Sequence, residues 1–190
     1  QALALHQQIG DRAGEAATRA NLASIDVEQG DYAAARAGFQ QALAIRQQIG
    51  DRAGEAATRH QLASIDLRQG DYAAARAGFQ QALAIRQQIG DRAGEAATFF
   101  QLGVLAEKLG RPAAGVRLVG LCYLIDRSIS HRDAPTTDWN ALTAKAARLG
   151  YTQDKLDELL RTVSQAHATD RGHQLVLAAF GDDAGEAGNL

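Results

Sequence analysis

The sequence predicts an all-α protein, an α-solenoid of repeated helical hairpins, and three observations support this fold class. Residues 1–40 and 41–80 differ at only six positions, and residues 81–98 repeat residues 41–58 without a change. Within each 40-residue unit, apolar residues recur at helical spacing between glycine–aspartate pairs, which can end one helix and begin the next. The repeats contain no strand-like alternation of apolar and polar residues. Such a period is typical of helical arrays.

Each unit divides into two helices at a glycine. The first helix is predicted from about residue 15 to residue 29, with Gly30 as a left-handed C-terminal cap. Asp31 is then suited to N-cap the second helix, about residues 32–48. Gly38 and Gly78 lie inside the second helices, where glycine costs about 1 kcal/mol against alanine. Close helix packing must compensate for this cost.

The composition excludes several function classes. The chain has 190 residues, of which 20 are basic and 22 acidic, so no net field attracts nucleic acid. Its single cysteine excludes a disulfide framework and a cysteine-based zinc site. No apolar run approaches the roughly 20 residues that span a bilayer. We expect a cytoplasmic protein without nucleic-acid or membrane partners. Because it begins inside a unit and without methionine, we expect a fragment of a longer array.

The residues around each glycine–aspartate pair resemble the tetratricopeptide repeat. The matching residues are Leu22, Gly30, Asp31, Tyr32, Ala35, Phe39 and Ala42, then Leu62, Gly70, Asp71, Tyr72, Ala75, Phe79 and Ala82. The resemblance covers about residues 1–131 and implies a right-handed superhelix. The usual unit has 34 residues, so six extra residues fall in the connection before Glu15 and Glu55. Longer-period arrays of bacterial multidomain signalling proteins and kinesin light chains are similar. HEAT repeats, with a period near 40, remain the alternative fold.

The domain organisation follows from this register. Residues 133–138 are predicted to form a loop, with Asp138 as N-cap of a helix over 139–149 and Thr152 as the next N-cap. A cap that closes the array is predicted over 138–180, with a separate recognition domain as the alternative. The predicted segments are 1–9 (second helix of a truncated repeat), 15–49 and 55–89 (repeats), 94–131 (divergent repeat), 138–180 (helical cap) and 181–190 (flexible tail).

Two positions of the first helix depart from the family pattern together. Arg19 and Asp26 recur as Arg59 and Asp66, two helical turns apart, and both become apolar in the third unit. We hypothesise that Asp26 pairs with Arg19 or Arg59. Two ordinary surface charges are the alternative.

Differences between the copies indicate a binding face. Four of the six differences between the first two units lie on the first helix, mostly on one face. The resemblance places that face in a concave groove suited to a peptide or partner helix, with His60 and Phe100 as aromatic anchors. A solvated face under weak constraint is the alternative. The predicted binding residues are Ala20, Asn21, Ser24, Glu28, His60, Gln61, Ser64, Leu67, Arg68, Phe100, Gln101, Val104 and Lys108.

Catalytic chemistry is not indicated. Cys122 occupies the place of a small alanine and is interpreted as a core residue. His131 and Asp133 are interpreted as a cap or salt bridge at a helix end. Arg12 and its two copies form a spaced basic row, sufficient for a weak acidic contact. We therefore predict no enzyme activity, no cofactor and no metal. A peptide or protein partner is expected, with a structural spacer as the alternative. Self-association through the apolar face of residues 1–9 is also possible for such an array.

Overall fold

A computed structural model describes residues 2–130 and 134–181. Within these ranges the chain forms α-helices and one short π-helical turn, Ala134–Asp138, and contains no strand, so the all-α prediction is confirmed. The predictions for His131, Asp133 and the tail from residue 182 lie outside the described residues. The helices are α1 (Ala2–Ile9), α2 (Arg12–Gln29), α3 (Tyr32–Gln48), α4 (Arg52–Gln69), α5 (Tyr72–Ile89), α6 (Arg92–Lys108), α7 (Pro112–Ser128), α8 (Trp139–Arg148), α9 (Gln153–Asp170) and α10 (His173–Phe180).

The first helix of each unit begins three residues earlier than predicted. In α4, the Gly54 N–H donates to the Asp51 carboxylate at 2.8 Å, so Asp51 is the N-cap and Arg52 is already helical. The six residues beyond the usual period therefore lengthen helices. Only residues 49–51 connect α3, which ends at Gln48, to α4, which begins at Arg52. This extension brings Glu55 into the first turn of α4.

Other predicted boundaries have mixed outcomes. Asp31 caps α3 by accepting from Ala34 N–H at 2.9 Å, as predicted, and Thr152 caps α9 by accepting from Lys155 N–H at 3.4 Å. The predicted loop over 133–138 is wrong, because Ala134–Asp138 is a π-helical turn. The prediction that Asp138 caps the next helix is also wrong. Its backbone is itself helical, and its side chain makes no capping bond.

Residues with a positive φ angle, the left-handed backbone conformation, recur about every 20 residues along most of the described chain. Gly30 has φ +80° and its N–H bonds the carbonyls of Asp26 and Val27, as a helix C-cap requires. The same conformation recurs at each glycine of this series, and Ser130, with φ +55°, takes the place of one of them. The spacing continues through Gly150, so the hairpin rhythm extends beyond the three units that the sequence reveals. Of the described residues, no helix combines the length and apolarity needed to cross a membrane.

Contacts divide the chain into two compact units, one ending at Asp91 and the other beginning at Arg92. From here on, the first and second unit are these two parts of the chain, and each 40-residue period is called a repeat. In the first unit, α2 packs on α3, α3 on α4 and α4 on α5. One core cluster joins Ala23, Ala35, Phe39 and Ile65, which come from three successive helices. The close approach of these helices depends on small residues. A Cβ at Gly38 would lie 2.9 Å from the Ala23 Cβ, which confirms that packing is the reason for a mid-helix glycine.

In the second unit, α6 and α7 form a hairpin, and α7 contacts α8, α9 and α10. The core cluster joins Val116 and Val119 of α7 to Leu142, Ala146 and Leu156 of the following two helices. The described part of the predicted cap, residues 138–180, thus supplies apolar partners for α7. Its assignment as a cap remains a prediction.

A buried glutamate joins consecutive hairpins in the first unit. Glu55 is 5% exposed, and Arg52 and Arg59, both of α4, donate to it at 2.5 and 3.0 Å. Gln47 of α3 donates to the same carboxylate at 3.1 Å, so one side chain links two hairpins. Glu15 repeats the arrangement with its own arginines and glutamine. We call these clusters the glutamate junctions.

The same contacts show that the predicted Arg–Asp pairing is wrong. Arg59 is bound to Glu55 and to Gln81, and Arg19 is engaged in the same way in its own repeat. Asp66 instead pairs with Arg36 of the preceding hairpin, with 2.6 Å between Nη2 and Oδ1. The ion pair thus joins α3 to α4, not two positions of the first helices.

We expect Glu55→Gln to lower the free energy of unfolding by about 2 kcal/mol at pH 7, the range for hydrogen bonds to a charged group. Burial raises the pKa of Glu55, but Gln47 and Arg59 hydrogen bonds and the Arg52 charge lower it further, to below its ordinary 4.5. A lowered pKa means that this stabilisation is present above pH 4.5 and is lost as the pH falls through the folded-state pKa. Urea unfolding at several pH values measures both effects.

The control for that experiment is Glu28→Gln, which removes an exposed carboxylate from the same unit. It should leave the stability nearly unchanged. Equal effects of the two substitutions would show that the glutamate junction contributes no more than a surface charge.

Candidate interaction surface

The predicted binding residues of the first unit lie on α2 and α4, and they differ in exposure. Asn21 and Gln61, at equivalent positions, are exposed, as are Glu28 and Arg68. The remaining predicted residues of this unit are half-buried: Ala20, Ser24, His60, Ser64 and Leu67. The two serines donate to the carbonyl one helical turn earlier, at 3.0 and 2.9 Å, so their hydroxyls already have an internal partner. The exposed amides and charges are therefore the groups of this face that can contact a ligand.

His60, predicted as an aromatic anchor, contacts its own repeat. Its ring packs edge-on against Phe79, with 5.1 Å between the ring centroids, and its Nδ1 lies 3.3 Å from an Arg86 guanidinium nitrogen. Burial first, and then the Arg86 charge, lower the pKa of His60 from 6.5 to about 4. The ring is consequently neutral at physiological pH and is partly used in holding α4 against α5.

In the second unit the predicted residues lie on α6. Phe100 is half-buried and packs against the core cluster around Val116, so this anchor too has an internal contact. Gln101 and Val104 are half-buried, and Lys108 is exposed. Sequence reasoning did not find the ion pair on this helix, in which Lys145 of α8 lies 2.6 Å from Glu107.

The basic row predicted at the connections does not face outward as a set of unpaired charges. Arg12 lies 2.6 Å from Glu15, Arg52 lies 2.5 Å from Glu55, and Arg92 lies 2.9 Å from Glu95. These ion pairs reduce the positive charge that the row can offer to an acidic ligand, and the weak acidic contact stays a prediction. Each arginine neutralises the glutamate of its own junction.

An apolar surface that sequence reasoning missed lies on α2. Leu22 and Ile25 are both 48% exposed, although their copies in α4, Leu62 and Ile65, pack into the core cluster around Phe39. On α1, Leu5 is 55% exposed. Comparison of the copies could not reveal the α2 surface, because the residues are nearly identical in sequence and differ only in their neighbours.

Two further features of the second unit lie apart from the predicted face. An open pocket of about 390 Å³ lies among α7, α9 and α10 and is lined by Arg117, Tyr151, Lys155 and Leu175. The Lys155 ammonium lies 4.3 Å from the centroid of the Tyr151 ring. Separately, the buried side chains of Cys122, Asp126 and Asp138 place potential metal-ligand atoms within 4.8 Å of one another. The sequence showed neither feature, because the contributing residues lie far apart in the chain or beyond the evident repeats.

Hairpins repeated at a 40-residue period, each exposing amide and charged groups on its first helix, define a helical-repeat protein. Models of the tetratricopeptide repeat match residues 16–49 and 54–114, together half of the chain. The chain therefore belongs to the tetratricopeptide repeat family, and the HEAT alternative is set aside. Repeats of this family generally mediate protein–protein interaction and are typically non-catalytic scaffolds. No curated protein sequence matches the chain.

The position of His60 predicts a pH-dependent stability. Since the folded protein holds the ring neutral down to about pH 4, the unfolded chain binds a proton more readily between that pH and 6.5. Stability should fall on acidification through this window, by an amount on the order of 2 kcal/mol after allowance for the partial exposure of the ring. NMR titration of the ring and denaturant unfolding at pH 7.5 and 4.5 measure the two quantities.

His60→Ala is the matched variant, because Ala20 occupies the same position in the preceding repeat. It should lose this part of the pH dependence. Titration of the His60 ring near pH 6.5 would contradict the prediction.

Proposed function

We propose that this protein is an interaction module that binds an extended peptide segment of a partner protein on the exposed face of its first helices. In the first unit, the exposed amides of Asn21 and Gln61 are suited to hydrogen-bond the backbone of such a segment. In the second unit, α6 presents Gln101, Val104 and Lys108 on the corresponding face of its own repeat, next to Phe100.

One observation supports this proposal above the others. Most residues that hold the repeats together are the same in both copies, including the glutamate junctions and the Phe39 and Phe79 positions. Arg46 and His60 are exceptions, since the first copy has other residues in their places. Differences are concentrated on the first helix, and its exposed polar positions are among them. Asn21 corresponds to Gln61, and Glu28 corresponds to Arg68. Packing does not demand either charge at this exposed position, whereas recognition of an asymmetric ligand would select one in each repeat. A solvated face under weak constraint remains the alternative that the test below addresses.

The chemistry of the ligand follows from that reversal. Glu28 favours a basic group in the segment that contacts α2, and Arg68 favours an acidic group in the segment that contacts α4. Because both side chains are exposed, each contact should contribute modestly, and most of the affinity should come from main-chain hydrogen bonds and apolar contacts.

The test is selection of binders from a displayed peptide library, followed by fluorescence-polarisation titration of the selected peptides. The decisive variant exchanges the two charges, Glu28→Arg with Arg68→Glu. It keeps the net charge, and each new residue is the natural one of the other copy. We expect the exchange to weaken binding roughly three- to tenfold, about 1 kcal/mol.

Arg148→Glu, which reverses an exposed charge on α8, is the control and should leave affinity unchanged. If no peptide binds, or if the exchanged and original proteins bind alike, a spacer without a ligand on this face becomes the better description.

A second candidate function is self-association through α1 and α2, with another copy of this chain as the occupant. The half-exposed Leu22 and Ile25 favour it, because the copies of these residues in α4 show what covers such a face, namely α2 and α3 of a neighbouring repeat. Asp26 also lacks an ion-pair partner among the described residues, whereas its copy Asp66 binds Arg36. A second copy can supply apolar and basic groups to this surface.

Light scattering over a concentration series tests self-association. We expect the mass to rise above 20.2 kDa with concentration, and we expect the double variant Leu22→Lys, Ile25→Lys to remain a monomer. Ile49→Lys, at another partly exposed isoleucine, is the control and should behave like the original protein. A concentration-independent mass of 20.2 kDa for the original chain would reject this candidate.

A further inference from the structure

Three positions of the repeat change chemistry together in the second unit. In the first unit, the Arg46 guanidinium donates to the Gly54 carbonyl at 2.9 Å and to the Thr58 hydroxyl, which ties α3 to α4. Two periods later, the residues at the positions of Ala42, Arg46 and Thr58 are Cys122, Asp126 and Asp138. A small residue, a cation and a hydroxyl are thus replaced by a thiol and two carboxylic acids near the connection between α7 and α8.

The structure brings these three side chains together in a buried place. Cys122 and Asp126 lie one turn apart on α7, with 3.6 Å between Sγ and Oδ2, and Asp138 directly precedes α8. Their exposed fractions are 2%, 7% and 8%, and their ligand atoms all lie within 4.8 Å of one another. No described residue donates a hydrogen bond to the buried Oδ2 of Asp138. An unsatisfied buried carboxylate oxygen is costly, so this atom points to a ligand that the protein groups do not supply.

The donor set selects the kind of ligand. Carboxylate oxygens and a thiol sulfur together suit a divalent ion of intermediate softness, whereas magnesium and calcium prefer oxygen alone. With Zn–S near 2.3 Å and Zn–O near 2.0–2.2 Å, tetrahedral coordination separates sulfur from oxygen by about 3.5 Å. The Cys122–Asp126 separation is close to this value, and a pair of ligand atoms separated by the full 4.8 Å must approach by about 1.3 Å.

We propose, against the expectation from the sequence of no metal and no cysteine-based zinc site, that Cys122, Asp126 and Asp138 bind a zinc ion, with water in the fourth position. The sequence argument from a single cysteine did not consider a site in which two aspartates supply the other protein ligands. The ion would join α7 to α8, as the Arg46 guanidinium joins α3 to α4 in the first unit. Without the ion, the Cys122 thiol carries its proton and donates a hydrogen bond to Asp126. Zinc therefore displaces one proton from the thiol and releases it to solvent when the Zn–S bond forms.

Titration of the full chain with Co²⁺ tests the proposal directly. Cobalt takes the same tetrahedral ligands, and a cobalt–thiolate bond gives a charge-transfer band in the near ultraviolet. Because Cys122 is the single cysteine of the chain, such a band reports this site alone. We expect one equivalent of Co²⁺ to produce the band, Zn²⁺ to abolish it by displacement, and one proton to be released per ion bound.

Two substitutions replace proposed zinc ligands with the residues found at the same positions of the earlier repeats. Cys122→Ala follows Ala42 and should abolish the band, and Asp138→Thr follows Thr58 and should weaken Co²⁺ binding at least tenfold. Asp157→Asn, which removes an exposed carboxylate, should leave the spectrum and the affinity unchanged. If circular dichroism shows that a variant is unfolded, the melting temperature of the original chain is measured with and without Zn²⁺ instead. We expect zinc to raise this melting temperature.

The outcomes that overturn the proposal are distinct. Absence of the charge-transfer band at saturating Co²⁺ would show that Cys122 is only a buried hydrogen-bond donor. A cobalt spectrum without that band would place the ion on other side chains, such as surface histidines. A band with full affinity in Asp138→Thr would remove Asp138 from the ligand set and with it the three-residue site.

Discussion

The glutamate junction is the interaction on which the repeated part of this structure depends. Glu55 stands in the first turn of α4 and is nearly inaccessible to water, yet it carries a charge. Two arginines of its own helix balance that charge, and Gln47 of the preceding hairpin completes its hydrogen bonds. This arrangement requires the extra residues of the 40-residue unit, because they extend α4 far enough back for Glu55 to meet α3. The 40-residue period therefore provides the geometry that the buried carboxylate needs.

In the second unit the junction is kept with different partners. Glu95 is fully buried and binds Arg92 of its own helix, but the residue in the place of Arg59 is Phe99, which cannot donate. Arg171, which follows α9, supplies the missing guanidinium. Phe99 is buried close to Gly172, where a Cβ would lie 3.0 Å from its ring. The loss of an arginine from the repeat thus coincides with the arrival of the helices that follow the array.

Identical residues also acquire different roles through their neighbours. Ile25 and Ile65 are copies of one residue, but the first is 48% exposed and the second 1%. Hydrophobic burial depends on what adjoins a side chain, not on its own identity, so the same sequence provides a core in one repeat and an open surface in another. The candidate self-association uses this property, since the face of α2 that is open in one repeat is available for a partner.

Local signals in the sequence were sufficient to predict the period, the all-α class, the boundaries of α3 and the packing reason for Gly38. Caps, left-handed glycines and small residues act within a few positions of where they stand. The pairing of charges could not be predicted in this way, since an arginine side chain can reach several neighbours and the choice between them depends on helix packing. Asp66 therefore binds Arg36, whereas the sequence hypothesis paired its copy Asp26 with Arg19 or Arg59. Likewise, Cys122 meets Asp138 across a connection that no helical spacing relates.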